Sequence, residues 1–162
     1  MQRLLAPLSL ALLLAACGDA EPLLPPDAVL PDGGRYRGEV VNGLLQGEGR
    51  IDYANGSWYA GNFKDGQSDG RGEWRGAGGE RYIGQFRQGL FDGQGTLTYS
   101  DGSTYTGGFK QGRLHGEGHL QQGEMSYRGE FRKDKYHGLG LLEWPGGVRY
   151  QGRFARGELN GP

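Results

Sequence analysis

Three histidines are the side chains in this sequence that most directly suggest metal chemistry. His115 and His119 stand four residues apart, and His137 follows 22 residues after His115. On a helix a spacing of four brings two imidazoles together, but on a β-strand it separates them by about 13 Å. A metal ion needs ligand atoms about 2 Å from one centre. Because the surrounding residues alternate as in a strand, the sequence predicts no metal site and no cofactor.

Four glutamates form the second group that could do chemistry, and each stands beside a glycine: Glu48, Glu73, Glu117 and Glu130. Paired carboxylates about 5–10 Å apart catalyse glycoside hydrolysis, but nothing in the sequence near these acids encloses a substrate. The Gly-x-Gly segments do not lead into a helix, so no phosphate-binding loop is predicted. We therefore predict that the protein is not an enzyme, and an accessory role to an enzyme remains an alternative.

A column of basic residues is the third candidate, and it recurs at a fixed place along the chain: Lys64, Arg87, Lys110 and Arg132. These cations could bind anionic lipid headgroups, or they could line a solvated edge beside Asp65 and Asp134. The formal net charge of the chain is −1. Non-specific attraction to nucleic acid is therefore not expected.

These residues are positioned by an internal repeat. Six tyrosines stand 23, 23, 23, 22 and 23 residues apart: Tyr36, Tyr59, Tyr82, Tyr105, Tyr127 and Tyr150. The fourth residue after the first tyrosine is Val40, and after the others it is a phenylalanine: Phe63, Phe86, Phe109, Phe131 and Phe154. Many of the 34 glycines keep the same phase. A fixed period of this length indicates a repeat architecture.

Each repeat reads as a β-hairpin. In Tyr-x-Gly-x-Phe the marked residues are two apart, so on a strand they share one face. A loop such as residues 110–115 would join the two strands, and turns such as Asn55-Gly56 and Asp101-Gly102 would join successive units. The glycines would let the ring of a neighbouring strand lie on bare backbone. The sequence predicts an all-β, elongated, single-layer antiparallel sheet.

The pattern Tyr-x-Gly-x-Phe-x-x-Gly-x-x-x-Gly-x-Gly resembles the MORN repeat. The resemblance covers residues 36–161 and implies about six consecutive hairpins in a domain spanning 34–162. Val40 and Asp134 depart from the pattern, and the interval between Gly118 and Tyr127 is one residue short. We therefore expect an irregularity near 121–126 and an incomplete last hairpin.

The N-terminal segment resembles a bacterial lipoprotein signal peptide. Arg3 precedes an apolar run that ends in Leu14-Ala15-Ala16-Cys17, which resembles a lipobox. The resemblance implies cleavage after residue 16, acylation of Cys17 and anchoring to a membrane. By the same resemblance, Gly18 in place of an aspartate after the cysteine implies the outer membrane, facing the periplasm. The alternative is an ordinary cleavage site beside an unrelated cysteine.

Residues 17–33 are predicted to form a tether between the lipid and the repeats. Four prolines make this segment an extended spacer: Pro22, Pro25, Pro26 and Pro31. An alternative is that its apolar residues dock on the first repeat, and these are Leu23, Leu24, Val29 and Leu30.

The predicted function is that of a scaffold or adaptor. The Tyr and Phe columns either only hold the sheet together or leave an apolar strip open to a partner. Edge strands near 34–41 and 148–155 offer strand addition or self-association. We expect a membrane-anchored protein of the bacterial cell envelope that binds an unidentified envelope protein. Binding of anionic lipid or of a glycan such as peptidoglycan is the alternative.

Overall fold

In the computed structural model, residues 28–161 form one antiparallel sheet, and no helix occurs in this range. The sheet has 13 strands in chain order, so each strand pairs with those before and after it. The strands are β1 (Ala28–Val29), β2 (Arg35–Val41), β3 (Leu44–Asp52), β4 (Trp58–Lys64), β5 (Gln67–Arg75), β6 (Arg81–Arg87), β7 (Leu90–Thr98), β8 (Thr104–Lys110), β9 (Arg113–Gln122), β10 (Met125–Arg132), β11 (Lys135–Glu143), β12 (Arg149–Ala155) and β13 (Glu158–Leu159). The predicted all-β antiparallel sheet is confirmed. The predicted signal peptide, the lipobox with Cys17 and residues 17–27 of the tether lie outside the described residues.

The two strands of each repeat are joined by a turn of two residues. Between β8 and β9, Gln111 and Gly112 have φ of +50° and +77°. Two consecutive positive φ angles are typical of a type I′ turn, whose twist matches that of the flanking strands. The loop predicted over residues 110–115 is therefore wrong, because Arg113 already begins β9.

Successive hairpin turns are connected by hydrogen bonds. The Gly112 N–H donates to the Phe91 carbonyl at 2.8 Å, and the Asp92 carboxylate accepts the Gln111 N–H at 3.2 Å. Asp134, which stands where other units have glycine, donates its N–H to the Leu114 carbonyl at 3.1 Å. Its carboxylate accepts the Leu114 N–H at 2.9 Å. Although Asp134 departs from the repeat pattern, it therefore preserves the hydrogen bonding between successive hairpin turns.

The connections between units are longer, with one exception. Residues 53–57 form the first, in which the Tyr53 N–H donates to the Ser57 carbonyl at 2.9 Å. Between β9 and β10 the connection shrinks to Gly123 and Glu124. This confirms the irregularity expected near 121–126. The last hairpin is incomplete as expected, since β13 has two residues.

The sheet begins earlier than the sequence predicted. Ala28 pairs with Tyr36 and Val29 with Arg35, and Leu30 is buried in the core. Residues 28–33 therefore belong to the sheet and not to the tether, which agrees with the docking alternative for Leu30. At the other end, β13 pairs with the last two residues of β12. The strands at 34–41 and 148–155 are thus each partly covered and are not fully free edges.

The core lies on one face of the sheet and consists of rings over glycine. The Tyr105 ring contacts Gly107 on its own strand and Gly118 on the paired strand, and its hydroxyl donates to the Gly108 carbonyl at 2.9 Å. The prediction that the ring comes from a neighbouring strand is confirmed for Gly118, whereas Gly107 lies under a ring of its own strand. The tyrosine covers the glycine pair of its own hairpin. Phe109 and Phe131 then pack edge-on against it at 5.1 and 4.9 Å.

A second set of core residues escaped the sequence analysis. It stands nine residues after the tyrosine, near the start of the second strand, and consists of Leu45, Phe91, Leu114 and Tyr136. In the second unit this position holds Ser68, which is not part of the core cluster. Phe91 stacks on Tyr82 at 3.7 Å and Tyr136 on Tyr127 at 3.9 Å. These positions were assigned to the predicted loop, so their contribution to the core was missed.

The free energy of unfolding is expected to decrease as the pH rises from 10 to 12. Burial, and then the charge of Glu39, raise the pKa of Tyr36 to about 12, and burial likewise raises the pKa of Tyr127 to about 12. An unfolded tyrosine ionises near pH 10. The unfolded state therefore loses protons first, and the stability present below pH 10 falls as the pH rises toward 12. The urea midpoint measured at pH 9 and pH 11 tests this. Tyr127→Phe should show a smaller pH-dependent decrease.

Candidate functional site

The aromatic columns are core and not an accessible surface. Five of the tyrosines are at most 2% exposed, and the five phenylalanines are at most 5% exposed. Of the tyrosine column, only Tyr150 at the end of the sheet is half-buried. This corrects the view that the Tyr and Phe columns leave an open apolar strip. The rings hold the sheet together, and a partner has to meet other residues.

The face opposite the core carries a polar groove of about 930 Å³. Its lining includes Arg37, Arg71 and Gln85, and the side chain of Ile83 is 44% exposed there. Arg50 also lines it, forms an ion pair with Asp52 at 2.6 Å and lies over the Trp58 ring at 4.2 Å. The groove is open along its length, so it offers a surface and not an enclosed chamber.

The four glutamates lie on different strands: Glu48 on β3, Glu73 on β5, Glu117 on β9 and Glu130 on β10. Glu117 and Glu130 are direct neighbours across β9 and β10, a pairing that the sequence analysis did not predict. Glu73 forms an ion pair with Arg81 at 2.6 Å. Glu48 lies opposite Asn62 on the neighbouring strand, and both line the polar groove. Neither groove described in this section includes Glu73, Glu117 or Glu130 in its lining.

The histidines lie on two different strands. His115 and His119 are in β9 and His137 is in β11. Within residues 28–161 there is no group of three or more His, Cys, Asp or Glu side chains that could hold a metal ion. Burial, and then the charge of Arg128, lower the pKa of His119. Its Nε2 is buried and has no hydrogen-bond partner in the described part of the chain.

The basic column lies at the hairpin turns, where each member is exposed as the last residue of its strand: Lys64, Arg87, Lys110 and Arg132. The register places Arg113 opposite Lys110 and Lys135 opposite Arg132. Lys133 and Arg156, in the following turns, complete what we call the basic turn edge: Lys110, Arg113, Arg132, Lys133, Lys135 and Arg156. No ion pair within 4.0 Å neutralises these six cations in residues 28–161. The sequence analysis missed four of them because it placed the turn incorrectly.

A second groove, of about 550 Å³, lies on the core face beside this edge. We call it the core-face groove, and its lining includes Tyr99, Leu114, Leu120, Gln122, Phe131, Lys135, Tyr136 and Arg156. Leu114, Leu120 and Phe131 are almost fully buried, whereas Tyr99 and Tyr136 are half-buried. The groove thus has an apolar floor and a charged rim, with Lys135 and Arg156 beside Asp101 and Asp134.

A family model for the MORN repeat matches five stretches of the chain, residues 36–58, 59–81, 82–104, 105–122 and 127–149. The chain belongs to the MORN-repeat family. The hairpin at 150–161 continues the sheet but is not among the five matched MORN repeats. MORN repeats are in general non-enzymatic modules that bind proteins or lipids.

The MORN sheet was also compared with solved and curated proteins. The TCP domain of SAS-4 from Drosophila melanogaster, solved with a proline-rich motif of Ana2, is 10% identical, with a TM-score of 0.35. The match covers 88% of this chain and 99% of that domain. No match was found among curated proteins. The described residues contain no helix long and apolar enough to cross a bilayer.

Proposed function

We propose that this protein is a lipid-anchored adaptor of the bacterial cell envelope whose MORN sheet binds another protein. The observation that carries the proposal is the contrast between the two kinds of surface. The rings of the Tyr and Phe columns are buried in the core. Both grooves, in contrast, are open and lined by polar, cationic and half-buried apolar side chains. Such surfaces suit a macromolecular partner better than a small substrate that must be enclosed.

Anchoring rests on the sequence of the N-terminal segment. Cys17 follows an apolar leader and small residues, and two or more acyl chains hold a protein stably on a membrane. The proposed location is the outer membrane, facing the periplasm. Cys17→Ala should move the protein from the membrane pellet to the soluble fraction, and metabolic labelling with an alkyne fatty acid should be lost. Unchanged labelling would overturn the anchoring proposal.

Photo-crosslinking in cells tests protein binding. A diazirine amino acid at Gln85, in the polar groove, and at Ser100, beside the core-face groove, probes both surfaces of the full chain. We expect at least one position to give a discrete adduct with an envelope protein, identified by mass spectrometry. Lys64, an exposed residue that lines neither groove, is the control position. Absence of discrete adducts at both test positions would contradict the adaptor proposal.

Anionic-lipid binding is a second candidate, favoured by the basic turn edge. Vesicles containing phosphatidylglycerol should then sediment the Cys17→Ala protein at low salt, and high salt should release it. Glutamate at four cations of the basic turn edge should abolish sedimentation, and these are Lys110, Arg113, Arg132 and Lys133. No sedimentation of the parent ends this candidate. Pull-down with purified peptidoglycan tests the glycan alternative in the same way.

A further inference from the structure

The core-face groove exists because one aromatic ring of a repeated column is missing. The column runs along the connections between units and reads Tyr53, Gly76, Tyr99, Gln122 and Trp144. Tyr53, Tyr99 and Trp144 all pack against the core cluster. Only the second and fourth members lack a ring.

The first gap, at Gly76, is filled from within the repeat. The ring of Trp74 lies against Gly76, so that a Cβ there would be 2.7 Å from the Trp74 Cη2. Trp74 also packs on Phe91 at 5.7 Å. Its position holds a smaller aliphatic residue in the other units, and in this unit the larger ring replaces the missing one.

The second gap, at Gln122, is not filled. The residue equivalent to Trp74 is Leu120, which has no ring to reach across, and Gln122 itself is exposed. The shortened connection at Gly123 and Glu124 supplies no apolar side chain. Met125, which pairs with Gln122, packs half-buried against the core but does not line the groove. The groove of about 550 Å³ opens at this place, between Tyr99 and Tyr136. Its floor is apolar, as at other core positions, but the ring that covers this place in other repeats is missing.

The charges around the groove favour an acidic occupant. Lys135 and Arg156 line it, and both belong to the basic turn edge. The lining also holds two carboxylates, Asp101 and Asp134, so the excess of positive charge comes from the rest of the basic turn edge beside the groove: Lys110, Arg113, Arg132 and Lys133. Lys135 lies directly opposite Arg132, and like charges so placed repel each other unless an anion intervenes.

We propose that the core-face groove receives an aromatic side chain from an acidic segment of the protein that the adaptor binds. The ring takes the place that a tyrosine or tryptophan of this chain holds in other repeats, and the flanking carboxylates contact Lys135 and Arg156. This inference rests on the proposed adaptor function and names the chemistry of its partner. It requires both the vacancy at Gln122 and the cations of units four to six.

A synthetic peptide tests the vacancy. The probe is a short peptide of aspartates and glutamates around one tryptophan, titrated into the full chain in detergent and followed by anisotropy. Replacing its tryptophan by alanine should weaken binding by about tenfold or more, because burial of the ring is lost. Gln122→Trp should fill the groove, raise the urea midpoint and weaken binding to a similar extent. Gln122→Ala keeps the groove open and should bind as the parent does.

Charge reversal tests the basic end of the groove. Lys135→Glu with Arg156→Glu should weaken peptide binding by about tenfold and flatten its salt dependence. Lys64→Glu, at the last residue of β4 and outside the groove lining, is the control and should leave binding unchanged. Equal binding of the tryptophan and alanine peptides, or unchanged binding by Gln122→Trp, would overturn the inference.

Cell crosslinking separates failure of this inference from failure of the adaptor proposal. Adducts at Ser100 that disappear in Gln122→Trp support the groove as the docking site. Adducts at Gln85 without any at Ser100 overturn the groove and leave the adaptor function standing. Loss of vesicle sedimentation in Gln122→Trp, with no peptide binding by the parent, assigns the groove to lipid and also overturns the inference.

Discussion

Replacing Tyr82 by alanine is expected to lower the free energy of unfolding by about 4 kcal/mol, the loss typical of removing a large buried ring. Tyr82 is fully buried near the middle of the sheet. Its ring packs against Phe91 at 3.7 Å, Phe109 at 5.0 Å and Phe86 at 5.1 Å. The three phenylalanines come from β6, β7 and β8, so the mutation leaves a cavity that no single side chain can close. Urea denaturation of the full chain, followed by circular dichroism, measures the loss.

Two variants separate the parts of this effect. Tyr82→Phe keeps the ring and removes only the hydroxyl, which donates to the Gln85 carbonyl at 2.8 Å. It should cost about 1 kcal/mol. Tyr150→Ala removes the half-buried ring at the end of the sheet, where Phe154 at 5.4 Å is the one aromatic neighbour in the described chain. A loss at Tyr82 no larger than that at Tyr150 would contradict the role of Tyr82 at the centre of the core.

The repeat and its strands were predictable because the ring position and the glycine positions of each unit each require one residue type. Only a ring covers a glycine pair, and only glycine lies beneath a ring without a clash, so the types recur in phase. The position nine residues after tyrosine has no such restriction. It accepts Leu45, Ser68, Phe91 or Tyr136, since it only needs to fill space beside the rings. Without a fixed type it escaped notice, although the Gln111-Gly112 turn would have placed it on a strand.

The candidate sites were less predictable because they depend on register. The pairing shifts between Gly107 and Phe109, where three residues of β9, 115–117, stand opposite the single Gly108 of β8. Such a bulge changes which side chains oppose each other across the hairpin. The cation pair of Lys110 and Arg113 is set by the two-residue turn between them, and the carboxylate pair of Glu117 and Glu130 by the two-residue connection from β9 to β10. The first turn was placed incorrectly from the sequence, and only an irregularity was predicted near the second. Burial was equally hidden, because alternation shows which residues share a face but not which face is covered.

Replacing Gly118 by alanine is expected to lower the free energy of unfolding by about 3 kcal/mol, the cost of overpacking a filled core. A Cβ at this position would lie 2.5 Å from Cε2 and 2.6 Å from Cζ of Tyr105. Tyr105 is fully buried between Phe109 and Phe131, so its ring has no free space into which to move. The clash would also threaten the hydrogen bond from the Tyr105 hydroxyl to the Gly108 carbonyl, at 2.9 Å in the parent.

Gly102→Ala is the matched control, because it separates backbone strain from steric clash. Gly102 has φ of +85° and nothing within 4 Å of a Cβ, so its substitution costs only the left-handed backbone conformation, about 1 kcal/mol. Gly118 is free of that strain, so its larger loss has to come from the ring. If Gly118→Ala and Gly102→Ala are equally destabilised in urea, the glycines serve the backbone alone. The double mutant Gly118→Ala/Tyr105→Ala isolates the clash. If it loses less stability than the sum of the losses of the two single mutants, the difference is the free energy of the clash.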